Sequence, residues 1–271
     1  MSKTNGIVYF IGAGPGDPEL MTIKAQRLLQ QADVVVYDRL VSEEIVDTFP
    51  AGVTRIYVGK SPGHHHMNQD EINELLVKLA QNQRRVVRLK GGDSFVFGRG
   101  SEEASYLVKH DIAFELVPGI TSAASCSTYA GIPLTHRGLA TGMRVVTGHC
   151  RSNMPLDLNW DSLADPDTTL VVYMGLAQLQ EISDKLIKAG LAADTPAAAI
   201  ENGTTPRQRL CISTLAEIPQ ETTKRNFVTP TLIIIGRVVT LNSELDWFQQ
   251  QASEKVGDID AKVLVHTQAQ A

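Results

Sequence analysis

The first half of the chain alternates short apolar runs with helical stripes. Val8-Tyr9-Phe10-Ile11 reads as a strand and enters a tight loop, Gly12-Ala13-Gly14-Pro15-Gly16-Asp17. Thr22 is placed to cap a helix that runs to about Leu29. Two more strand-like runs follow, around Val34-Val35-Val36-Tyr37 and Arg55-Ile56-Tyr57-Val58-Gly59. Ile72, Leu75, Leu76 and Leu79 then recur at the spacing of one helix face, with Asn68 and Glu71 set as a capping box at its start. Arg85-Val86-Val87-Arg88-Leu89 and Phe114-Glu115-Leu116-Val117 are the last strands of this half, and between them Glu102 and Glu103 suit a first helical turn. Strands separated by helices imply parallel βαβ units, and continuous apolar runs imply strands covered on both faces.

The second half has a different rhythm. Its strand candidates are Arg144-Val145-Val146-Thr147, Thr169 to Met174, Ala197 to Ile200, Arg209 to Ile212 and Thr231 to Ile235. Only one long helix is plain between them, striped by Leu179, Ile182, Leu186 and Ile187 and stopped by Gly190. The expected class is therefore α/β. A mostly parallel N-terminal domain spans 1–135, a mixed α/β domain spans 136–248, and 249–271 form a polar tail. The boundary falls in the Gly-, Ser-, Thr- and Pro-rich region between Pro118 and Thr141.

Composition narrows the function classes. The 271 residues carry a formal net charge of −5, which argues against nucleic acid as the partner. No run of about 18 apolar residues is present, and the N-terminus lacks signal-peptide architecture. Cys126, Cys150 and Cys211 are widely spaced and odd in number, so neither a disulfide framework nor a zinc site is suggested. A cytoplasmic protein is the expectation.

Several motifs carry candidate chemistry. The glycine loop at 12–17 fails the dinucleotide fingerprint, because Asp17 stands where its third glycine belongs and Pro15 removes an amide. A tight strand-to-helix turn explains it better. Gly91-Gly92-Asp93 follows a strand directly, where ligands of parallel sheets bind and where glycines admit close backbone approach. Asp38 and Lys60 also follow strand-like runs and fit either a catalytic rim or a surface ion pair. Arg99 with Glu102, and Arg137, suit carboxylate ligands, but they equally suit surface salt bridges. His64-His65-His66 reads as a solvated loop, since adjacent side chains in an extended segment seldom converge on one ion, and no metal is expected.

Taken in order, these segments resemble the tetrapyrrole methylase family, in its uroporphyrinogen-III-methylating branch. The stretches are GAGPGD at 12–17, VVYDRLV at 35–41, VGK at 58–60, RVVRLKGGD at 85–93, FGRG at 97–100, VPGIT at 117–121, GIPLTHR at 131–137, VTGH at 146–149, YMG at 173–175, ENGT at 201–204 and IGRV at 235–238. Ser94 stands where the common family form has proline. The resemblance implies two α/β domains with S-adenosylmethionine folded in the cleft between them, and a homodimer. By motif position it assigns Pro15, Gly91, Gly92, Asp93, Val96, Thr121, Ser122, Met174 and Gly203 to the cofactor. It assigns Asp38 and Lys60 to proton acceptance and donation, and Arg99, Glu102 and Arg137 to the substrate. The implied reaction is methylation of uroporphyrinogen III at C-2 and then C-7 to give precorrin-2, feeding sirohaem and cobalamin-type pathways.

Some family members carry this module behind a dehydrogenase–ferrochelatase module. Five residues precede Gly6, so a single-function methyltransferase is expected. The nearest rival is a sibling methylase acting on a later precorrin. A non-catalytic tetrapyrrole-binding protein and a nicotinamide oxidoreductase are the more distant alternatives.

Overall fold

The computed structural model describes residues 6–59, 67–82, 84–149 and 156–248. The chain divides into two compact units, Met1–Ser125 with Asn202–Arg207, and Cys126–Glu201 with Gln208–Ala271.

In the first unit, β1 (Ile7–Gly12), β2 (Val34–Tyr37), β3 (Thr54–Tyr57), β4 (Arg85–Lys90) and β5 (Ala113–Val117) form one sheet in the order β3-β2-β4-β1-β5. Every pairing in it is parallel. Its connections carry α1 (Ile23–Leu29), α2 (Glu43–Val46), α3 (Gln69–Gln81) and α4 (Gly100–Val108), and α5 (Ser122–Tyr129) follows β5. Side chains alternate across a strand, so the sheet supplies two cores. Val8, Phe10, Val34, Val36 and Val86 pack with Ile72, Leu76 and Ala80 of α3 and with Ala104 and Leu107 of α4. Ile11, Val35, Val87 and Leu89 pack on the opposite side with Leu28 and Leu29 of α1 and Ile45 of α2. The helix starts follow local chemistry: the Thr22 hydroxyl accepts from the Ala25 amide, and Asn68 with Glu71 completes a reciprocal capping box on α3.

The second unit is built on β6 (Gly142–Thr147), β7 (Thr168–Tyr173), β8 (Pro196–Glu201), β9 (Arg209–Thr214) and β10 (Thr231–Ile235), in the order β6-β7-β10-β8-β9. Only β6 and β7 pair in parallel; the other pairings are antiparallel. α6 (Trp160–Leu163), α7 (Leu179–Lys188) and α8 (Ile218–Lys224) cover one face, and α9 (Asn242–Leu245) lies near the end of the described chain. Leu179, Ile182 and Leu186 of α7 are buried there, and Gly190 takes the positive φ that ends the helix.

Both sheets and the long helices match the hydrophobic patterning. The short helices α2, α5 and α8 do not announce themselves. α5 reads Ser-Ala-Ala-Ser-Cys-Ser-Thr-Tyr, too small and polar to show an apolar stripe. In α8 only Ile218, Pro219 and Thr222 are buried. Among the described residues no helix is long and apolar enough to cross a membrane.

The α3 cap and the α3 core can be separated by mutation. Asn68→Ala is expected to cost about 1 kcal/mol, and Leu76→Ala about 2–5 kcal/mol. Urea unfolding of the two variants checks the ratio; equal losses would mean that the cap does more than hold the first turn.

Candidate active site

The carboxyl ends of β1, β4 and β5 are drawn together by glycine. A Cβ on Gly12 would lie 2.5 Å from the Gly119 nitrogen and 2.6 Å from the Gly92 oxygen, so no other residue fits without moving backbone. The Ala13 amide donates to the Lys90 carbonyl at 2.8 Å, and Gly14 and Gly92 exchange backbone hydrogen bonds at 3.1 and 2.6 Å. The glycine loop is thus the tight turn its spacing suggested, and its glycines serve strand-end approach. Asp93 ties the third strand end into this junction. One carboxylate oxygen accepts from the Gly119 amide at 3.0 Å, and the other accepts from the Phe95 amide at 2.8 Å.

Pro15 lies within this turn, and the neighbouring Gly16 packs against Thr204 and Thr205. The Asp17 amide donates to the Thr204 hydroxyl at 3.3 Å, which brings the segment containing Gly203 to the turn. A Cβ on Gly92 would lie 3.5 Å from the Ser122 hydroxyl, so the Gly92 backbone faces the start of α5, beside Thr121 and Ser122, while Gly91 packs against Leu40. Val96 follows in the same loop, partly buried.

Asp38 stands at the end of β2, next to β4 in the sheet. Its Oδ1 accepts from the Leu40 amide at 3.1 Å. Its Oδ2 accepts from the Arg88 guanidinium at 3.3 Å and lies 4.0 Å from the Lys90 ammonium. Lys60, the His64–His66 run and Cys150 fall outside the described residues. Arg99 and Glu102 form a forked pair at 3.1 and 2.6 Å, half-exposed on both sides. The hydrogen bonds that Arg99 donates to Glu102 push its already high pKa up further, with burial opposing them, so the guanidinium is permanently charged.

Arg88 and Lys90 carry a signal that patterning passed over. β4 alternates, so Val86, Arg88 and Lys90 share the face covered by α3 and α4. There the buried Glu103 of α4 receives Arg88 Nε and Lys90 Nζ, each at 3.0 Å. Gln69 of α3 donates to the same carboxylate at 3.1 Å and to Asn73 at 3.2 Å. Burial works to raise the Glu103 pKa, but Arg88 and Lys90 outweigh it and hold the carboxyl below its ordinary range. Burial pushes the Lys90 ammonium down, and Arg88 adds to that; Glu103 and Asp38 oppose the shift. Two cations on one strand face, opposite a glutamate in the next helix's first turn, is the sequence feature that would have revealed the group.

Backbone strain gathers in the same motifs. Seven described non-glycine residues have positive φ. Asp111 and Asn226 follow helix ends, where Ile112 and Phe227 make the closing bonds back to Leu107 and Thr222. The other five, Phe97, Arg99, Met174, Asn202 and Thr204, lie in loops after strands β4, β7 and β8. Such conformations cluster where ligands are held. On the second unit, Met174 ends β7 half-exposed, and Arg137 is exposed in the turn closed by the His136–Ala140 bridge. Among the described residues no group of three histidine, cysteine or acidic side chains is placed to hold a metal ion.

Comparison with known proteins shows which chains this one is similar to. The siroheme synthases of Thiobacillus denitrificans and Azotobacter vinelandii are 52% and 53% identical over 92% and 93% of this chain. The chain spans about half the length of these curated relatives, 52% and 54%. A uroporphyrin-III C-methyl transferase from Thermus thermophilus, solved with S-adenyl homocysteine, is 41% identical. It superposes with a TM-score of 0.74 over 86% of this chain and 93% of its own. A cobalt precorrin-4 methyltransferase from cobalamin biosynthesis is 26% identical, with a TM-score of 0.77 over 86% and 95% of the two chains. The family model for tetrapyrrole (corrin/porphyrin) methylases matches residues 7–219, and the chain belongs to that family.

Proposed function

We propose that this chain transfers methyl groups from S-adenosylmethionine to uroporphyrinogen III, at C-2 and then C-7, giving precorrin-2 by way of precorrin-1. The observation that carries the reading is the parallel-sheet edge. It sets Asp38 on a buried cation at the end of β2, beside the Gly91-Gly92-Asp93 junction at the end of β4. The Thermus similarity favours the early, carboxylate-rich substrate over a later precorrin. The similarity to siroheme synthases suggests the sirohaem branch as its outlet. A cytoplasmic homodimer is the assembly this reading carries.

The residues present fit the cofactor. The side-chain-free backbone of Gly91-Gly92, with Gly92 facing the Ser122 hydroxyl and amide at the start of α5, suits a ligand with many polar edges. Pro15, Val96 and Gly203 flank that junction and complete the cofactor contacts of the first unit; Met174 is assigned to the cofactor by motif position. When bound, the sulfonium supplies an already activated methyl group.

What remains for the protein is positioning and proton removal. Asp38 accepts the ring proton at its carboxylate, steered by the Leu40 amide and the Arg88 guanidinium. Lys60 is assigned to proton donation by motif position. Arg99 meets substrate carboxylates with a charge that never titrates near neutrality, while Glu102 braces its fork. Arg137 is assigned the same carboxylate role by motif position. Eight substrate carboxylates approaching a chain of net charge −5 need such local cations.

Labelled methyl donor with uroporphyrinogen III tests the reaction directly. Label in the tetrapyrrole is expected; label only in a later precorrin would transfer the chain to a sibling activity. Asp38→Asn is expected to slow single-turnover transfer by about 10²-fold or more, with S-adenosylhomocysteine affinity unchanged by calorimetry. An unchanged rate would remove Asp38 from the proton step. Arg99→Ala should reduce turnover about tenfold or more while cofactor affinity holds, in keeping with the loss of a charge-assisted contact. Parallel loss of both would place Arg99 at the cofactor.

A further inference from the structure

The buried charges behind Asp38 do more than hold two helices to a strand. Arg88, Lys90 and Glu103 are among the few charged side chains buried in the described chain. Removing such a group from water is expensive, and an apolar trio would fill the same space at no such cost. The cluster also has a direction. Glu103 is fully enclosed and takes both cations, and the Oδ2 of the one carboxylate at its solvent end, Asp38, lies 3.3 Å from Arg88 and 4.0 Å from Lys90. With Lys90 protonated, two cations face one buried carboxylate, so one surplus positive charge is turned toward Asp38.

We propose that Lys90 and Glu103 are positioning residues for proton transfer. Together they fix how much positive charge stands behind the Asp38 carboxylate, 3.3 Å from Arg88 and 4.0 Å from Lys90, and so the pH dependence of methyl transfer. The inference rests on the reading of Asp38 as proton acceptor and extends it to two residues that do not touch the substrate. Among the described residues, the titratable groups near Asp38 come from three neighbouring elements, with Tyr57 of β3 placing its hydroxyl near the Arg39 amide. Arg88 and Lys90 reach it from β4, and Glu103 of α4 acts through them. α3 offers only the neutral Gln69 and Asn73, both hydrogen-bonded within the cluster. Arg39 follows Asp38 in sequence, with its residue exposed. Burial holds the Lys90 ammonium below its ordinary range, against the pull of Glu103 and Asp38, so its charge answers to both neighbours.

Charge variants separate tuning from scaffolding, because tuning predicts opposite signs. The measurement is single-turnover methyl transfer to uroporphyrinogen III across pH with the full chain, with S-adenosylhomocysteine calorimetry as a check on the cofactor site. Lys90→Met removes a positive charge behind Asp38. It is expected to move the acid limb of the profile to higher pH by about one unit, with the rate largely recovered at alkaline pH. Lys90→Arg is expected to restore the original limb. Glu103→Gln leaves the cations without their counter-charge. It should move the limb to lower pH, or leave it in place if Lys90 sheds its proton, but never raise it.

A loss by the same factor at every pH in Lys90→Met would overturn the proposal and leave a scaffold role. So would a shift of both variants in the same direction. Should Lys90→Met not fold, Glu103→Gln still decides, since an upward shift there contradicts the mechanism. A wild-type rate in Asp38→Asn is a different failure: it would remove the acceptor itself, whatever Lys90 does.

Discussion

The close approach of three strand ends is the constraint from which the site follows. Gly12, Gly92 and Gly119 let β1, β4 and β5 converge until backbone meets backbone, and Asp93 pins the junction through the Gly119 and Phe95 amides. Parallel strands present ligands at their carboxyl ends, and an edge free of side chains leaves the backbone open to close approach. The glycines meet both needs at once. This is also why the chain carries a glycine loop after its first strand without using it as a dinucleotide fingerprint. The loop's bonds go to Lys90 and Gly92 of the neighbouring strand end.

Beside that neutral junction, β4 carries a polar face. Val87 and Leu89 enter the core under α1 and α2, while Arg88 and Lys90 turn to the face under α3 and α4. One strand therefore contributes hydrophobic burial on one side and an ion cluster on the other. The cluster is tolerable because its bonds are shared. Glu103 accepts from Arg88, Lys90 and Gln69, and Asp38 takes the remaining reach of Arg88. Removing a single member leaves a buried charge exposed to the others, which costs far more than exchanging the whole set for apolar groups.

Much of this was legible in the chain before any coordinates. The central strands coincide with apolar runs because strands covered on both faces must be apolar, while the edge strands β3 and β6 are more polar and more exposed. The caps at Thr22 and Asn68 were readable because a single side-chain oxygen next to an apolar stripe has few other uses. The helices that escaped notice, α2, α5, α6, α8 and α9, run for no more than eight residues each, so periodicity has little to register. Arg88 and Lys90 were visible as letters of a motif but not as chemistry. Reading β4 as a continuous run hid its alternation, and the partner Glu103 lies 15 residues from Arg88, in another element.

The strained loops point the same way. Phe97 and Arg99 both take left-handed backbone around Gly98, and Arg99 begins α4 without a side-chain cap. A loop free to relax would place glycine or asparagine at such positions. Two bulky side chains held there imply that their directions matter more than the roughly 1–3 kcal/mol each conformation costs. For Arg99 the reason is visible: the left-handed turn sets its guanidinium within reach of Glu102, one turn into α4, so the fork is already aligned before any carboxylate arrives. Prealignment of this kind lowers the entropy lost on binding. The same helix that fixes Arg99 through Glu102 on its exposed side fixes Arg88 and Lys90 through Glu103 on its buried side. The first turn of α4 is thus a hinge of charge between the exposed Arg99 and the cluster behind Asp38.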